Sequence, residues 1–582
     1  MNYAKQFNRR GPTLQTQPIP GSNQVQNNAG GFSFTLDHWG RLDRFLILGA
    51  EGGTYYVGEH DLVKDNHDAL VKCIKESGIR TVQRITEIST SGRAPKNDPA
   101  IFALALCFVH GDEDTKCGAA NALPQVCRIG THLFTFCSYA SQMRGWGHSL
   151  RRAVASWYNS FVNVNDGADR LAYQVIKYQS RNGWSHRDCL RLSHPKALLV
   201  SQDAVFRWVV GGVDALNKRK VSAKPGSTNL PRAYKSVSVH LPGVIYAFEE
   251  AKQAKTDAEI VRLIQGHNLP RECIPTQFLN SKAVWEALLI NMPVMAMVRN
   301  LAKMTAIGLI APFSEAASTV RDRLADEDAL RKSRIHPLQV LTALKTYEQG
   351  HGDKGSLTWQ PVQTICNALD TAFYASFKNV EPTGKNILYA LDVSGSMGMG
   401  SVAGSPLTPR EASAALALVL ASTEKNYHIM AFSNRFMPLS IRPGMKLSDA
   451  IRVVGDLPFA GTDCALPILW ASQNLASVDA FVTLTDSETW CGSIHPTQAL
   501  AAYRKTFVQD ARNIVVGMTA TSFTVNDPSD PLGLDVAGFD AALPALIGDF
   551  IRGPLVQAEV KAPVKRKSPA KRKLKRAAKG AK

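Results

Sequence analysis

The chain changes texture after Asn386. Upstream, from about Phe32 to Asn367, it reads as helices with short breaks and no strands between them. Downstream, "NILYALDV", "YHIMAFS", "AFVTLTD" and "RNIVVGMT" are short apolar runs rich in branched residues, separated by helical stretches near 409–425, 465–475 and 497–507. Continuous apolar strands alternating with helices require a parallel sheet covered on both faces. Helix following helix predicts an α-solenoid instead, although no clean sequence period marks a repeat. One chain of 582 residues thus carries two architectures, which its length allows at about 100–200 residues per domain.

Local signals support the division. "DPAIFALALCFVH" (98–110) predicts a helix with Asp98 as N-cap, Pro at the first helical position and an apolar face. Ser281–Met304 reads as helix, Pro-marked break, helix, and His336–Gly350 as a helix with a Gly stop. A last helix is expected near 540–551. Residues 1–30, rich in Gln, Asn, Pro and Gly, read as disordered. The helical unit is placed at 31–366, the α/β unit at 367–557, and a charged, Pro-broken tail at 558–582.

Charge divides the same way. Residues 1–380 hold 45 basic and 32 acidic residues, 381–560 hold 11 and 17, and the chain from Lys561 on holds 11 basic residues and no acid. A basic front and a cationic tail suit a polyanion, with solvated lysines as the plainer alternative. The ten cysteines include no CxxC. Cys107, Cys117, Cys127 and Cys137 recur every ten residues, a spacing that fits buried helical cysteine better than a metal ligand set. No apolar signal core opens the chain and no run reaches the ~18–20 apolar residues of a membrane span, so a cytoplasmic protein is expected.

Open α/β sheets bind ligands at the carboxyl ends of their strands. Asp392, in "LDVSGSM", ends the first predicted strand and Asp486, in "TLTDSE", ends a later one; Thr462, in "AGTDC", lies on a loop before a helix. Asp392, Ser394, Ser396, Thr462 and Asp486 can therefore converge on one edge. All are hard oxygen donors, which suits one divalent cation, Mg²⁺ first, with Mn²⁺ or Ca²⁺ as alternatives, and leaves a position for a partner's carboxylate. A lone "DVSGS" would read equally as a helix-capping loop. The combination Asp-x-Ser-x-Ser, Thr and Asp resembles the metal-ion-dependent adhesion site of von Willebrand factor A domains.

In the helical half, "KYQSRNGWSHRDCLRLSH" (177–194) interleaves Lys177, Arg181, Arg187 and Arg191 with Tyr178, Trp184, His186 and His194. Cations pair with phosphates, and flat rings stack on unpaired bases. Arg187, Arg191 and His194 fall at i, i+4 and i+7, one helix face. An amphipathic helix with a solvated face has the same pattern.

Over nearly its whole length the chain resembles the Ro autoantigen family of RNA-binding TROVE-domain proteins. The resemblance runs in order through "RLDRFLILGAEGGTYY", "VCRIGTHLFTF", "QSRNGWSHRDCLRLSH", "MPVMAMVRNLAKMT", "RIHPLQVLTALKTY", "VEPTGKNILYALDVSGSM", "GTDCALPILWA" and "FVTLTDSETW". It implies a ring of HEAT-like helical repeats closed by a Rossmann-like von Willebrand factor A domain. It also implies small structured Y RNAs on the outer basic face and single-stranded 3′ ends of misfolded noncoding RNAs in the central hole. Lys177, Arg181 and His194 match positions that contribute to RNA binding in the family. An exoribonuclease tethered through the RNA is implied as a partner, and no catalysis of the chain's own; a monomer and no membrane partner are expected. Residues 218–235 read as a linker where relatives carry more helix, and the basic tail is an addition. Two further readings stay open: a metal-dependent protein-binding adapter, and a metal-dependent nuclease. Two-metal nucleases need several clustered carboxylates, more than Asp392 and Asp486 supply.

Overall fold

The computed structural model describes residues 11–217 and 241–553, apart from 52–53, 55, 58, 164–165, 334, 353–354, 378–380, 403–404, 459, 475–476 and 541. The expectations for the tail and for the linker at 218–235 lie outside these residues. So does the first part of the N-terminal segment.

Among the described residues from His38 to Ala375 the chain is mainly helical, with turns and one hairpin between the helices. Most helices pack on near neighbours in sequence, such as His38–Leu48 on Glu59–Ser91, Asp98–His110 on Gly130–Arg144 and Glu113–Val126 on His148–Asn159. That local stacking is solenoid packing, and it buries one continuous apolar core. The long helix Glu59–Ser91 breaks at Ser77 (φ −158°, ψ 93°). A Cβ on the following Gly78 would collide with Thr115, so the break lets two helices approach closely. The helix expected at 98–110 is present, but Asn97 rather than Asp98 holds the capping position and Pro99 follows within the first turn. The break at Pro293 separates Lys282–Asn291 from Val294–Ala306 as expected. Of the four evenly spaced cysteines, Cys107, Cys127 and Cys137 are buried and Cys117 is exposed.

The second unit is a six-stranded sheet in the order Gly533–Ala537, Arg512–Gly517, Ala480–Thr485, Asn386–Asp392, Asn426–Phe432, Phe436–Pro438. All neighbours are parallel except the last, an antiparallel edge. The four apolar runs read from sequence are its four central strands. Helices Pro409–Thr423, Leu466–Asn474, Pro496–Thr506 and Leu543–Arg552 accompany it. The two outermost strands were not anticipated: Gly533–Ala537 is short and contains an aspartate, and Phe436–Pro438 ends in proline. The boundary placed after residue 366 falls inside helix Gln363–Ala375 and moves downstream of it.

Both ends of the helical run grip the sheet unit. At the start, the buried Arg44 donates to the carbonyls of Thr521 (3.2 Å) and Phe523 (2.8 Å) and lies 3.6 Å from Asp535. Arg93 reaches Asp540 at 3.4 Å. At the other end, Lys345 pairs with Glu411 at 2.8 Å and the Tyr374 hydroxyl donates to the Met445 carbonyl at 2.8 Å. The solenoid therefore closes on itself through the α/β domain, giving the ring.

One expectation is overturned. The N-terminal segment read as disordered over 1–30 is an ordered arm from residue 11. It forms the strand pair Val25–Gln26 and Phe32–Thr35, and the latter continues onto Phe523–Thr524 of the α/β domain. Polar composition misled the reading because the arm contributes hydrogen bonds rather than apolar area.

Candidate nucleic-acid interface and metal centre

Sheet order places the α/β site. The strand Asn386–Asp392 is flanked by Asn426–Phe432 on one side and Ala480–Thr485 on the other, so the winding reverses beside it. Ligands of open α/β sheets bind at such a switch point. Leu391 pairs with Leu484, which brings Asp392 and the Thr485–Asp486 turn together at the carboxyl edge. The Ser394 amide donates to Asp392 Oδ1 at 2.9 Å, Thr485 Oγ1 donates to Asp392 Oδ2 at 2.6 Å, and the Ser394 and Ser396 hydroxyls lie 3.1 Å apart. Ser396 hydrogen-bonds toward Asp486, which also accepts from the Glu488 amide at 3.1 Å. Burial, and then the charge of Asp486, push the Asp392 carboxyl up; burial does the same to Asp486. Thr462 is buried beside them and joins through its carbonyl, which accepts from the amides of Trp490 (3.0 Å) and Cys491 (3.1 Å).

Two side chains at this edge were not read from sequence. Thr485 looked like an ordinary strand residue. Arg410, in the first turn of Pro409–Thr423, turns inward and hydrogen-bonds the carbonyls of Val393 and Ser394. Ser487 sits at φ 65°, the left-handed region, in the turn that follows Asp486.

The arm lies over this turn. Gln15 is fully buried; its Nε2 donates to Asp463 Oδ1 (2.7 Å) and the Ile494 carbonyl (2.8 Å), and its Oε1 accepts from Thr489 Oγ1 (2.5 Å) and the Gly492 amide (3.1 Å). Glu488 accepts from the Asn28 side chain (2.7 Å) and the Ala29 amide (3.2 Å), while burial, then Asp486, push its carboxyl up to about 8. Among the described residues no three His, Cys, Asp or Glu side chains gather into a metal cluster. The donor set at this edge is two carboxylates and hydroxyls.

The basic stretch is built as a hairpin followed by a helix. Ser180–Arg181 pairs with Trp184–Ser185 across Asn182 (φ 51°) and Gly183 (φ 77°), a two-residue turn that Asn-Gly favours because both positions need positive φ. Ser185 then caps His186–Ser193, with its hydroxyl accepting from the Asp188 amide and its own amide donating to the Asp188 carboxylate. The helix ends at His194, held left-handed at φ 48°. Arg181, Arg187, Arg191 and His194 are exposed, and Lys177 is half-buried with its Nζ 5.4 Å from the ring centres of both Tyr173 and Tyr178. Among the described residues none of the four cations Lys177, Arg181, Arg187 and Arg191 forms an ion pair. Trp184 stacks on Trp146 at 5.1 Å and so props the hairpin.

His186 does not share that surface. It is buried, its Nδ1 lies 2.8 Å from the Tyr158 hydroxyl, and its ring meets Phe134 edge-on at 4.7 Å. Burial lowers its pKa to about 3, so the ring is neutral at physiological pH. As a candidate RNA contact it is corrected to an anchor beneath the contact face. The reason is helical phase: His186, Cys189, Leu190 and Ser193 form the buried stripe opposite Arg187 and Arg191. That i, i+3, i+4, i+7 stripe was the available signal.

The family described as "TROVE domain" matches residues 25–385, and "Ro60 vWA domain" matches 386–551. The RNA-binding protein RO60 of Caenorhabditis elegans is 36% identical over 591 residues, covering 91% of this chain and 90% of that protein. The RNA-binding protein RO60 of Deinococcus radiodurans is 39% identical over 533 residues, covering 91% and 96%. The crystal structure of the Deinococcus radiodurans RO (RSR) protein aligns with a TM-score of 0.65 at 38% identity, over 89% of this chain and all of that one.

Proposed function

Because the chain belongs to the TROVE-domain family and carries a Ro60-type von Willebrand factor A domain, we propose that it is an RNA-binding scaffold without catalysis. It holds small structured Y-like RNA on its outer basic face and admits single-stranded ends of misfolded RNA to the ring. It works as a cytoplasmic monomer in RNA quality control, with an exoribonuclease reached through the bound RNA. Among the described residues no helix is long and apolar enough to cross a membrane. The observation that carries the reading is the hairpin-helix that exposes Arg181, Arg187, Arg191 and His194 beside the half-buried Lys177, the four cations without an ion pair among the described residues. Filter binding to a structured RNA across a salt titration tests it. A folded Lys177→Ala/Arg181→Ala/His194→Ala variant should lose affinity, and unchanged binding would refute the placement.

The carboxyl edge of the sheet takes a supporting role. Two buried carboxylates with raised pKa values and the hydroxyls of Ser394, Ser396 and Thr462 fit one hard divalent cation, Mg²⁺ in the first place. Such an ion would neutralise the paired carboxylates. The packing of the arm over 488–492 favours a structural or secondary docking role over that of a primary adhesion surface. In this reading Asp392→Ala leaves RNA affinity intact while removing magnesium-dependent thermal stabilisation. Loss of RNA binding in a folded Asp392→Ala protein would contradict this division of roles.

A further inference from the structure

Next to the RNA-facing helix lies a cleft with no role so far. It has a volume of about 470 Å³ and runs between the first turn of His186–Ser193 and the helices Val200–Gly211 and Gly243–Gln253. Trp208 is half-buried on its wall. The indole Nε1 donates to Glu249 at 3.1 Å, and the ring meets Phe248 edge-on at 6.1 Å, so its orientation is fixed while part of it stays open to solvent. Lys252 is held on the same wall by Glu249 at 3.0 Å and by the Phe248 ring at 4.2 Å. Beyond Trp208 the wall continues into Gly211 and Gly212, which put no side chain across the cleft. Arg187 lines the cleft and also belongs to the exposed cationic face. His186 lines it too, and its Nε2 is buried without a hydrogen-bond partner.

A fixed indole, a carboxylate acceptor behind it and an exposed guanidinium that joins the cleft to a cationic surface describe a flat, hydrogen-bonding ligand tethered to an anion. We propose that this cleft receives an unpaired nucleobase of the bound RNA, stacked against Trp208, with an adjacent phosphate on Arg187. This deepens the RNA-binding reading and rests on it. An apolar peptide would make poor use of Glu249 and Lys252. A base pair in a duplex could not enter, so the site selects for unpaired nucleotides.

The test uses the full chain and two probes: a stem–loop RNA with a ten-nucleotide unpaired loop, and the same RNA with the loop bases removed to leave abasic sugars. The wild-type chain is expected to bind the intact loop about 5- to 150-fold more tightly than the abasic one, the range that one stacked base supplies. Trp208→Leu should abolish the preference without changing the slope of affinity against salt, because stacking releases no counterions. Arg187→Ala should make that slope shallower by about 1. Since Trp208 also packs on Phe248, a second variant, Gln179→Trp, plugs the cleft from an exposed position and should abolish the preference too. Tight wild-type binding that ignores the loop bases, or a Trp208→Leu protein that keeps the preference, overturns the cleft assignment alone. No binding of either RNA by the wild-type chain overturns the RNA-binding reading itself.

Discussion

Replacing Gln15 by Ala should detach the N-terminal arm. A side-chain amide has two donor hydrogens and two acceptor sites. Gln15 uses all four: toward Asp463, Ile494, Thr489 and Gly492, at 2.5–3.1 Å and with no solvent exposure. Truncation leaves four buried partners to be satisfied by water or not at all. With about 1 kcal/mol for each neutral bond and about 1.5–3 kcal/mol for the bond to a carboxylate, the loss is about 4.5–6 kcal/mol. Water entering the vacated space recovers part of this, which brings the cost to about 2–4 kcal/mol. The consequence is local, because the arm's strands Val25–Gln26 and Phe32–Thr35 are short. Native-state hydrogen exchange should report it as faster exchange, by about 30- to 1000-fold, at the amides of residues 27–34 and 489–494, with little change in the helices of the ring. Wild-type protection across both segments in Gln15→Ala would refute the claim that this one amide fastens the arm.

Three further outcomes follow from the same geometry. Arg44→Met removes the guanidinium that joins the first helix to Thr521, Phe523 and Asp535, and should destabilise ring closure by about 3–5 kcal/mol, read as a lower urea midpoint with earlier exposure of helix His38–Leu48 to proteolysis. The His186 ring is neutral in the fold with a pKa near 3, whereas the unfolded chain takes up the proton below its ordinary value of 6.5. Stability therefore falls as pH drops through that window, by about 2 kcal/mol at pH 5 for this one group, and His186→Phe should flatten the stability–pH slope between pH 5 and 6 by about 1.2 kcal/mol per unit in denaturant titrations. An equal slope in the two proteins would contradict the buried, neutral ring. Gly183→Val forces a β-branched side chain into a position at φ 77° and should disorder the hairpin, lowering RNA affinity while circular dichroism of the ring stays unchanged.

The parts of the fold that were legible in the sequence are those governed by local pattern. Four buried parallel strands announced themselves as continuous apolar runs, and Asp392, Ser394, Ser396 and Asp486 could be placed because strand ends of a wound sheet share one edge. Thr485 and Arg410 could not be placed, since their roles depend on the register between Leu391 and Leu484 and on the rotation of a helix about its axis. The arm escaped because sequence estimates of order weigh apolar burial, and Gln15, Asn27 and Asn28 stabilise by hydrogen bonds to loops 448–462 residues away. His186 was misassigned through attention to composition: the interleaving of rings and cations hid a helix phase that already set it opposite Arg187 and Arg191.

The central claim is that the cations of the 177–194 segment, exposed at Arg181, Arg187 and Arg191 and half-buried at Lys177, bind RNA phosphates. Its most direct measurement is the slope of log affinity against log salt for a structured RNA, in the wild-type chain and in Lys177→Ala/Arg181→Ala/His194→Ala. Removing the two cations Lys177 and Arg181 together with the His194 ring should weaken binding, and the loss of the two cations should make the slope shallower by about 2. A variant that stays folded and shows the wild-type affinity and slope would place the RNA elsewhere on the ring and contradict the account.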